Sequence, residues 1–306
     1  MNNIEKIKIK SKDGIDINVI CWKTEGKPKG IIHVIHGMAE YKERYEEFAK
    51  YLNTRGYLVY AHDHRGHGAA WKSKLGFFSQ EDGWVKVRDD IFEVTKYIHE
   101  KNNNLKMYLF GHSMGSFLTR DYVQEYKNEV DGIILSGTGG RVGIQGYLAK
   151  LFIKYEINTN NIDMPNKKLD NLIFGQYNKK CKEKRTSFDW LSRDDKRVDL
   201  YIKNDLCGFV CTTKFFEDLL SGLIKINKKK NIKKIACDLP ILMISGSMDP
   251  VGDYKKGVFQ TYFDFIRCGI KEVNYKFYEG ARHELINEIN RIEVFDDIVK
   301  WLEQHI

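Results

Sequence analysis

Hydrophobic and polar residues alternate in two short segments near the start of the chain, residues 4–10 and 15–22. Asp13 and Gly14 lie between them, and an Asp-Gly turn between alternating segments is typical of a β-hairpin. Six later segments are almost continuously apolar, as expected for strands of a parallel sheet that is covered on both faces. They are residues 30–35, 57–61, 106–110, 132–135, 241–244 and 273–278.

Helical periodicity fills most of the intervals between these segments. Apolar residues recur three and four positions apart in residues 44–55, 85–99, 116–126, 254–267 and 287–304. Strands and helices therefore alternate along the chain. This alternation predicts an α/β protein with a mostly parallel, doubly wound sheet of eight strands that begins with an antiparallel hairpin.

One long stretch, residues 139–234, interrupts the alternation because it has no clear signal for a buried strand. We interpret it as a helical insertion that divides one core into residues 1–138 and 235–306. Near its start, a set of apolar residues has the spacing of one helix face. The set is Tyr147, Leu148, Leu151, Phe152 and Tyr155.

Composition fits a globular chain, since 42% of the 306 residues are hydrophobic and 30% are charged. Lys and Arg exceed Asp and Glu by 50 − 42 = 8, and six of the lysines lie between positions 225 and 234. Such a cluster is more typical of a solvated surface than of a site for anionic lipid or an acidic substrate. Because no nucleic-acid-binding motif accompanies it, we expect no nucleic-acid partner.

The cysteines and the N-terminus bear on where the protein works. The six cysteines form no C-x-x-C pair, which favours free thiols in a reducing compartment. The N-terminus lacks the apolar segment of a signal peptide, and no run approaches the ~18 apolar residues of a membrane span. The sequence therefore predicts a cytoplasmic protein without a structural metal.

The most informative motif is Gly111-His112-Ser113-Met114-Gly115, which joins the apolar segment 106–110 to the helical segment 116–126. A G-x-S-x-G turn between a strand and a helix exposes its serine hydroxyl at the end of a sheet. A hydroxyl is a poor nucleophile at neutral pH, so it requires an imidazole as base and a carboxylate to orient that imidazole.

Both partners occur in the order expected for such a sheet. Asp249 follows the apolar segment 241–244, and His283 follows the segment 273–278. The carboxyl ends of parallel strands meet at one edge, so we predict a catalytic triad of Ser113, Asp249 and His283. Asp253 is a second candidate for the acid, but we expect it to cap the helix that starts at residue 254.

An oxyanion that forms on the substrate needs backbone N–H donors. The residue after the nucleophile, Met114, supplies one of them. We expect the turn after the segment 30–35 to supply the second donor, which is the N–H of Met38 because of its position in that turn.

Four motifs together resemble the monoacylglycerol lipase and lysophospholipase group of α/β-hydrolases, and the resemblance covers nearly the whole chain outside residues 139–234. The motifs are His36-Gly37-Met38-Ala39-Glu40, Asp63-His64-Arg65-Gly66-His67-Gly68, Gly111-His112-Ser113-Met114-Gly115 and Tyr278-Glu279-Gly280-Ala281-Arg282-His283. The chain departs from the group at Ala70, where a serine is usual.

The resemblance implies an α/β-hydrolase fold. It implies hydrolysis of carboxylic esters, in particular monoacylglycerol-like or lysophospholipid-like lipids, through an acyl-enzyme and without a cofactor. It also implies the same triad and the same oxyanion donors, Met38 and Met114. In that group the insertion forms a helical cap, or lid, over the acyl chain. We therefore expect residues 139–234 to form the cap. We also expect transient contact with a membrane surface and a substrate-binding role for four residues of the first helix of the cap. These are Tyr147, Leu148, Leu151 and Phe152.

Three alternatives stay open. The run from His62 to His67 is similar to a zinc-binding H-x-H-x-D-H motif, but Gly66 stands where a ligand Asp is required. A non-catalytic binding protein on the same fold is a second alternative, although such proteins usually lack a triad member. The third keeps the triad and replaces hydrolysis by acyl transfer or perhydrolysis, or acts on small non-lipid esters.

Overall fold

The sheet has the eight strands that the sequence predicts, in the order β1-β2-β4-β3-β5-β6-β7-β8. The computed structural model describes residues 4–159, 162–181 and 183–306. The strands are β1 (Ile4–Lys10), β2 (Asp16–Trp22), β3 (Gly30–Ile35), β4 (Tyr57–His62), β5 (Met107–His112), β6 (Gly132–Ser136), β7 (Ile241–Gly246) and β8 (Val273–Tyr278).

Only β2 runs in the direction opposite to the other strands of the sheet. β1 pairs antiparallel with β2, and β2 pairs antiparallel with β4, whereas all pairs from β4 to β8 are parallel. The hairpin turn places Gly14 at a φ of 82°, a conformation that costs glycine little. Because β5, β7 and β8 run parallel, the loops that follow them leave the sheet at the same edge.

Ten helices are described. They are α1 (Glu46–Thr54), α2 (Gly83–Lys101), α3 (Met114–Glu125), α4 (Ile144–Thr159), α5 (Lys167–Phe174), α6 (Asp195–Ile202), α7 (Thr213–Ile226), α8 (Lys229–Ile232), α9 (Lys256–Arg267) and α10 (Arg291–Glu303). Helices α1 and α10 bury apolar residues against one sheet face, while α2, α3 and α9 do so against the other. The mostly parallel, doubly wound α/β fold is therefore confirmed.

The insertion between β6 and β7 is helical, as predicted. Its described residues form α4 to α8 and no strand, apart from one isolated bridge between Pro165 and Thr212. Its helix α7 packs against α2, α3 and α4. One side of the insertion thus adds to the helical layer of the core.

Several helix ends differ from the predicted ones. Helix α10 begins at Arg291, four residues later than expected, because Leu285–Asn287 form a separate 3₁₀ turn. Helix α9 begins at Lys256, and Asp253 does not cap it. None of the described helices combines the length and the apolar character that crossing a membrane requires.

Candidate active site

Ser113 occupies a sharp turn between β5 and α3, with a φ of 52° and a ψ of −119°. The flanking glycines make this strained turn feasible. A Cβ on Gly115 would lie 1.9 Å from the carbonyl oxygen of Ile35, and one on Gly111 would lie 2.6 Å from that of Gly115. Only glycine fits both positions, so the sequence motif builds the turn that presents the serine hydroxyl.

His283 and Asp249 meet at the same sheet edge as Ser113. The imidazole Nδ1 of His283 lies 2.9 Å from Oδ1 and 3.0 Å from Oδ2 of Asp249, and both side chains are buried. Burial alone would lower the pKa of His283, but the charge and hydrogen bond of Asp249 raise it above its ordinary value. The backbone N–H of Val251 also donates to Asp249 Oδ1, which fixes the carboxylate.

Asp253, the second candidate acid, is exposed at the cavity rim and makes no described hydrogen bond to His283. The prediction that it caps a helix is wrong. Asp253, Tyr254 and Lys255 have φ values of 45°, 51° and 82°, so the backbone turns in the left-handed region before α9 starts. Its side chain accepts no capping hydrogen bond.

Met38 and Met114 line the same cavity as Ser113. The N–H of Met114 is the first of α3 and therefore has no acceptor within the helix. Met38 lies in the turn of residues 36–40, hereafter the 36–40 turn. There, the N–H of Gly37 donates to Glu40 Oε1 at 2.5 Å.

The histidines of the zinc-like run stabilise the 36–40 turn. His64 donates its backbone N–H to Nε2 of His36 at 3.1 Å, and the N–H of Ala39 donates to Nε2 of His67 at 3.2 Å. Burial lowers the pKa of His67 to about 4, so its ring is neutral near pH 7. Within the described chain, no group of three or more His, Cys, Asp or Glu residues is arranged to hold a metal ion. Sequence reasoning missed this supporting role, because the spacing alone does not show which turn the rings contact.

A cavity of about 780 Å³ opens at Ser113 and His283. The insertion supplies much of its wall, and the lining is largely apolar. Three residues of α4 contribute, Gly146, Ala149 and Ile153, together with Phe216, Leu219, Leu220 and Leu223 of α7. The arrangement places a largely apolar space next to a serine hydroxyl and an imidazole.

The structure corrects the predicted substrate face of α4. Leu148 and Leu151 are 61% and 67% exposed and do not line the cavity. Phe152 is half-buried against the main hydrophobic core and is also absent from the cavity wall. The side chain of Tyr147 lies outside the described residues. Helix α4 is apolar on two sides, and the side with the smaller residues faces the cavity.

Comparisons with known proteins find relatives that cover nearly the whole chain. The family model Hydrolase_4, described as serine aminopeptidase S33, matches residues 26–290. Human monoglyceride lipase is 29% identical over 92% of this chain and 85% of its own length, and monoacylglycerol lipase of Mycolicibacterium smegmatis is 25% identical over 96% and 95%. A thermostable carboxyl esterase of Bacillus coagulans, solved with glycerol, superposes with a TM-score of 0.92, at 25% identity, over 100% of this chain and 99% of its own.

The matched region contains every strand from β3 to β8, as well as Ser113, Asp249 and His283. Relatives at this similarity cover nearly the full length of the chain, including the insertion. The chain therefore belongs to the serine aminopeptidase S33 family and is a hydrolase of the lipase and esterase class with the α/β-hydrolase fold.

Proposed function

We propose that the protein hydrolyses carboxylic esters, in particular monoacylglycerol-like or lysophospholipid-like lipids, through an acyl-enzyme on Ser113. The observation that carries the proposal is the hydrogen bond of His283 Nδ1 to Asp249, at 2.9 Å, beside a cavity that also exposes Ser113. The names of the relatives support ester hydrolysis rather than the peptide hydrolysis that the family name suggests.

In this mechanism, Asp249 accepts the Nδ1–H of His283 and thereby leaves Nε2 free to take the proton of Ser113. The serine oxygen attacks the ester carbonyl, and the N–H groups of Met38 and Met114 stabilise the negative oxygen. The imidazolium then protonates the leaving alcohol. Water, activated by the same imidazole, releases the fatty acid and regenerates the serine.

A lipid substrate is supported by the size and the wall of the cavity. A volume of about 780 Å³ is in the range of pockets that enclose drug-sized ligands, and apolar residues of α4 and α7 form part of its wall. We propose that residues 139–234 form a cap, in which α4 and α5 cover the acyl chain and α7 anchors the cap to the core.

We also propose transient contact with a lipid surface and a cytoplasmic location. Leu148 and Leu151 on α4 are exposed beside the proposed acyl site, where an apolar surface suits contact with lipid. All six cysteines are free thiols, which supports a reducing compartment.

The test is Ser113→Ala, with Ser187→Ala as the matched control because Ser187 lines the same cavity. A fluorophosphonate probe should label the wild type and the control but not Ser113→Ala. Release of glycerol from monoacylglycerols should be lost in the same variant, while its thermal melting stays close to that of the wild type. Labelling of Ser113→Ala would contradict the assignment of Ser113 as the nucleophile. A wild type that cleaves only short esters would contradict the assignment of a lipid substrate.

A further inference from the structure

The residue after the proposed base, Glu284, forms a buried ion pair with an arginine from the opposite end of the chain. Arg44 Nη1 lies 2.8 Å from Glu284 Oε1, and Arg44 Nη2 lies 2.6 Å from Glu284 Oε2. Two parallel hydrogen bonds between a guanidinium and a carboxylate fix both position and orientation. The amide of Asn287 donates to Glu284 Oε2 at 2.9 Å and further fixes the carboxylate.

The same guanidinium reaches the 36–40 turn. Arg44 Nη1 lies 2.5 Å from Glu40 Oε2, and the other oxygen of Glu40 accepts hydrogen bonds from the N–H of Gly37 and the hydroxyl of Tyr45. A continuous path of hydrogen bonds therefore runs from the turn that bears Met38 to the loop that bears His283. The side chains of Glu40, Arg44 and Glu284 are only 4%, 11% and 6% exposed, so water competes little with these bonds.

The residues of this path are ionisable, and they affect one another's pKa values. Burial raises the pKa of Glu40, although the nearby Arg44 opposes that shift. For Glu284, burial also favours the neutral acid, but the charge and hydrogen bonds of Arg44, together with His112 and Asn287, outweigh burial and lower the pKa. The charged or titratable groups around His283 are Asp249, Glu284, Glu40, Arg44 and His112.

We propose that Glu40, Arg44 and Glu284 form a buried clamp that ties the 36–40 turn to the loop of His283, with Arg44 and Glu284 acting as positioning residues for the proposed hydrolysis. The inference rests on that proposed function. The clamp holds the oxyanion donor and the base at a fixed separation. The carboxylate of Glu284, the residue after His283, stabilises the imidazolium that forms when the base accepts the serine proton.

The first variant is Glu284→Gln, which keeps the shape of the side chain and removes its charge. The second-order rate of Ser113 labelling by a fluorophosphonate falls as pH decreases, because the base must be neutral. In Glu284→Gln we expect the midpoint of this acid limb to move about one unit towards lower pH, since a nearby negative charge is lost. In the wild type the midpoint should lie above the ordinary imidazole value of 6.5.

The second variant is Arg44→Lys, which keeps the charge but cannot bridge two carboxylates with a planar fork. We expect its acid limb to stay at the wild-type pH, while the pH-independent labelling rate and kcat on a p-nitrophenyl ester fall about tenfold. KM should change little, because Arg44 does not line the main cavity.

The matched control is Glu288→Gln. Glu288 is a buried carboxylate in the same loop. It pairs with Arg193 and accepts a hydrogen bond from the N–H of Arg282, but it has no described contact with the 36–40 turn. We expect Glu288→Gln to keep the wild-type acid limb. A general loss of stability would affect the acid limbs of Glu284→Gln and Glu288→Gln alike, so a difference between them indicates a specific effect of Glu284.

Two results would overturn the clamp. One is a Glu284→Gln acid limb that stays at the wild-type pH or is matched by that of Glu288→Gln. The other is an Arg44→Lys variant with the wild-type labelling rate. If Glu284→Gln does not melt cooperatively, the labelling rate of Arg44→Lys alone decides whether the clamp is retained or rejected. Failure of the proposed function would be seen separately, as a wild type that neither labels at Ser113 nor cleaves esters.

Discussion

Asp249 and Asp253 lie four residues apart at the same sheet edge, but only Asp249 contacts His283. Asp249→Asn should lower kcat by about 10⁴, because the amide favours the wrong imidazole tautomer and carries no charge to stabilise the imidazolium. Asp253→Asn is the matched control and should keep kcat within about threefold of the wild type. Steady-state kinetics on a soluble p-nitrophenyl ester measure both.

If Asp253→Asn were instead the inactive variant, the acid would have to move to His283 from the cavity rim during catalysis. Such a movement would require the left-handed residues before α9 to change conformation. The kinetic comparison therefore also tests whether the described geometry is the catalytic one.

At the scale of residues, the sequence could predict that Ser113, Asp249 and His283 lie at one sheet edge, because each lies in a loop just after a parallel strand. Such loops must leave the sheet at one edge. It could not predict the clamp, since Arg44 and Glu284 are distant in sequence and neither belongs to a motif. It also could not predict the backbone at Asp253, because three successive non-glycine residues with positive φ have no compositional signal.

We expect helix α4 to influence substrate length, because Gly146 and Ala149 on this helix line the cavity. Ala149→Trp should fill part of the acyl space and reduce kcat/KM for long-chain esters at least about tenfold, while acetate esters are cleaved at nearly the wild-type rate. A series of p-nitrophenyl esters of graded chain length measures the effect.

The control for this prediction is Leu148→Trp, which adds the same ring one residue earlier on the exposed side of α4. It should leave the chain-length profile unchanged. Equal losses in the two variants, or a loss from Ala149→Trp that is the same for all esters, would mean that α4 serves packing rather than acyl selection.

Among the elements, the strands were predicted well because a sheet covered on both faces requires continuous apolar runs, as in β4 and β5. The orientation of α4 was not predictable in the same way. An apolar helix face shows that a residue avoids water, but it does not show whether the core, a ligand or a lipid covers it. The small Gly146 and Ala149 were the only hint, since a ligand needs space.

At the scale of the whole molecule, the formal net charge of +8 and the exposed leucines of α4 both favour approach to an anionic lipid surface. Leu148→Ser combined with Leu151→Ser should weaken binding to phosphatidylglycerol-containing vesicles at least about tenfold, because each lost leucine removes apolar area that would leave water. Cosedimentation with vesicles measures the binding, and turnover of a soluble acetate ester should be unchanged.

The matched control is Phe263→Ser with Ile266→Ser on α9, where two apolar residues are 49% and 41% exposed. Helix α9 contacts α8, which carries lysines of residues 228–234. If the α4 variant loses binding and the α9 variant does not, the molecule meets lipid through the proposed cap, with the cavity next to the membrane. The reverse result would contradict this orientation. It would assign the lipid contact to α9 and the lysines, and the substrate would then have to reach Ser113 through water.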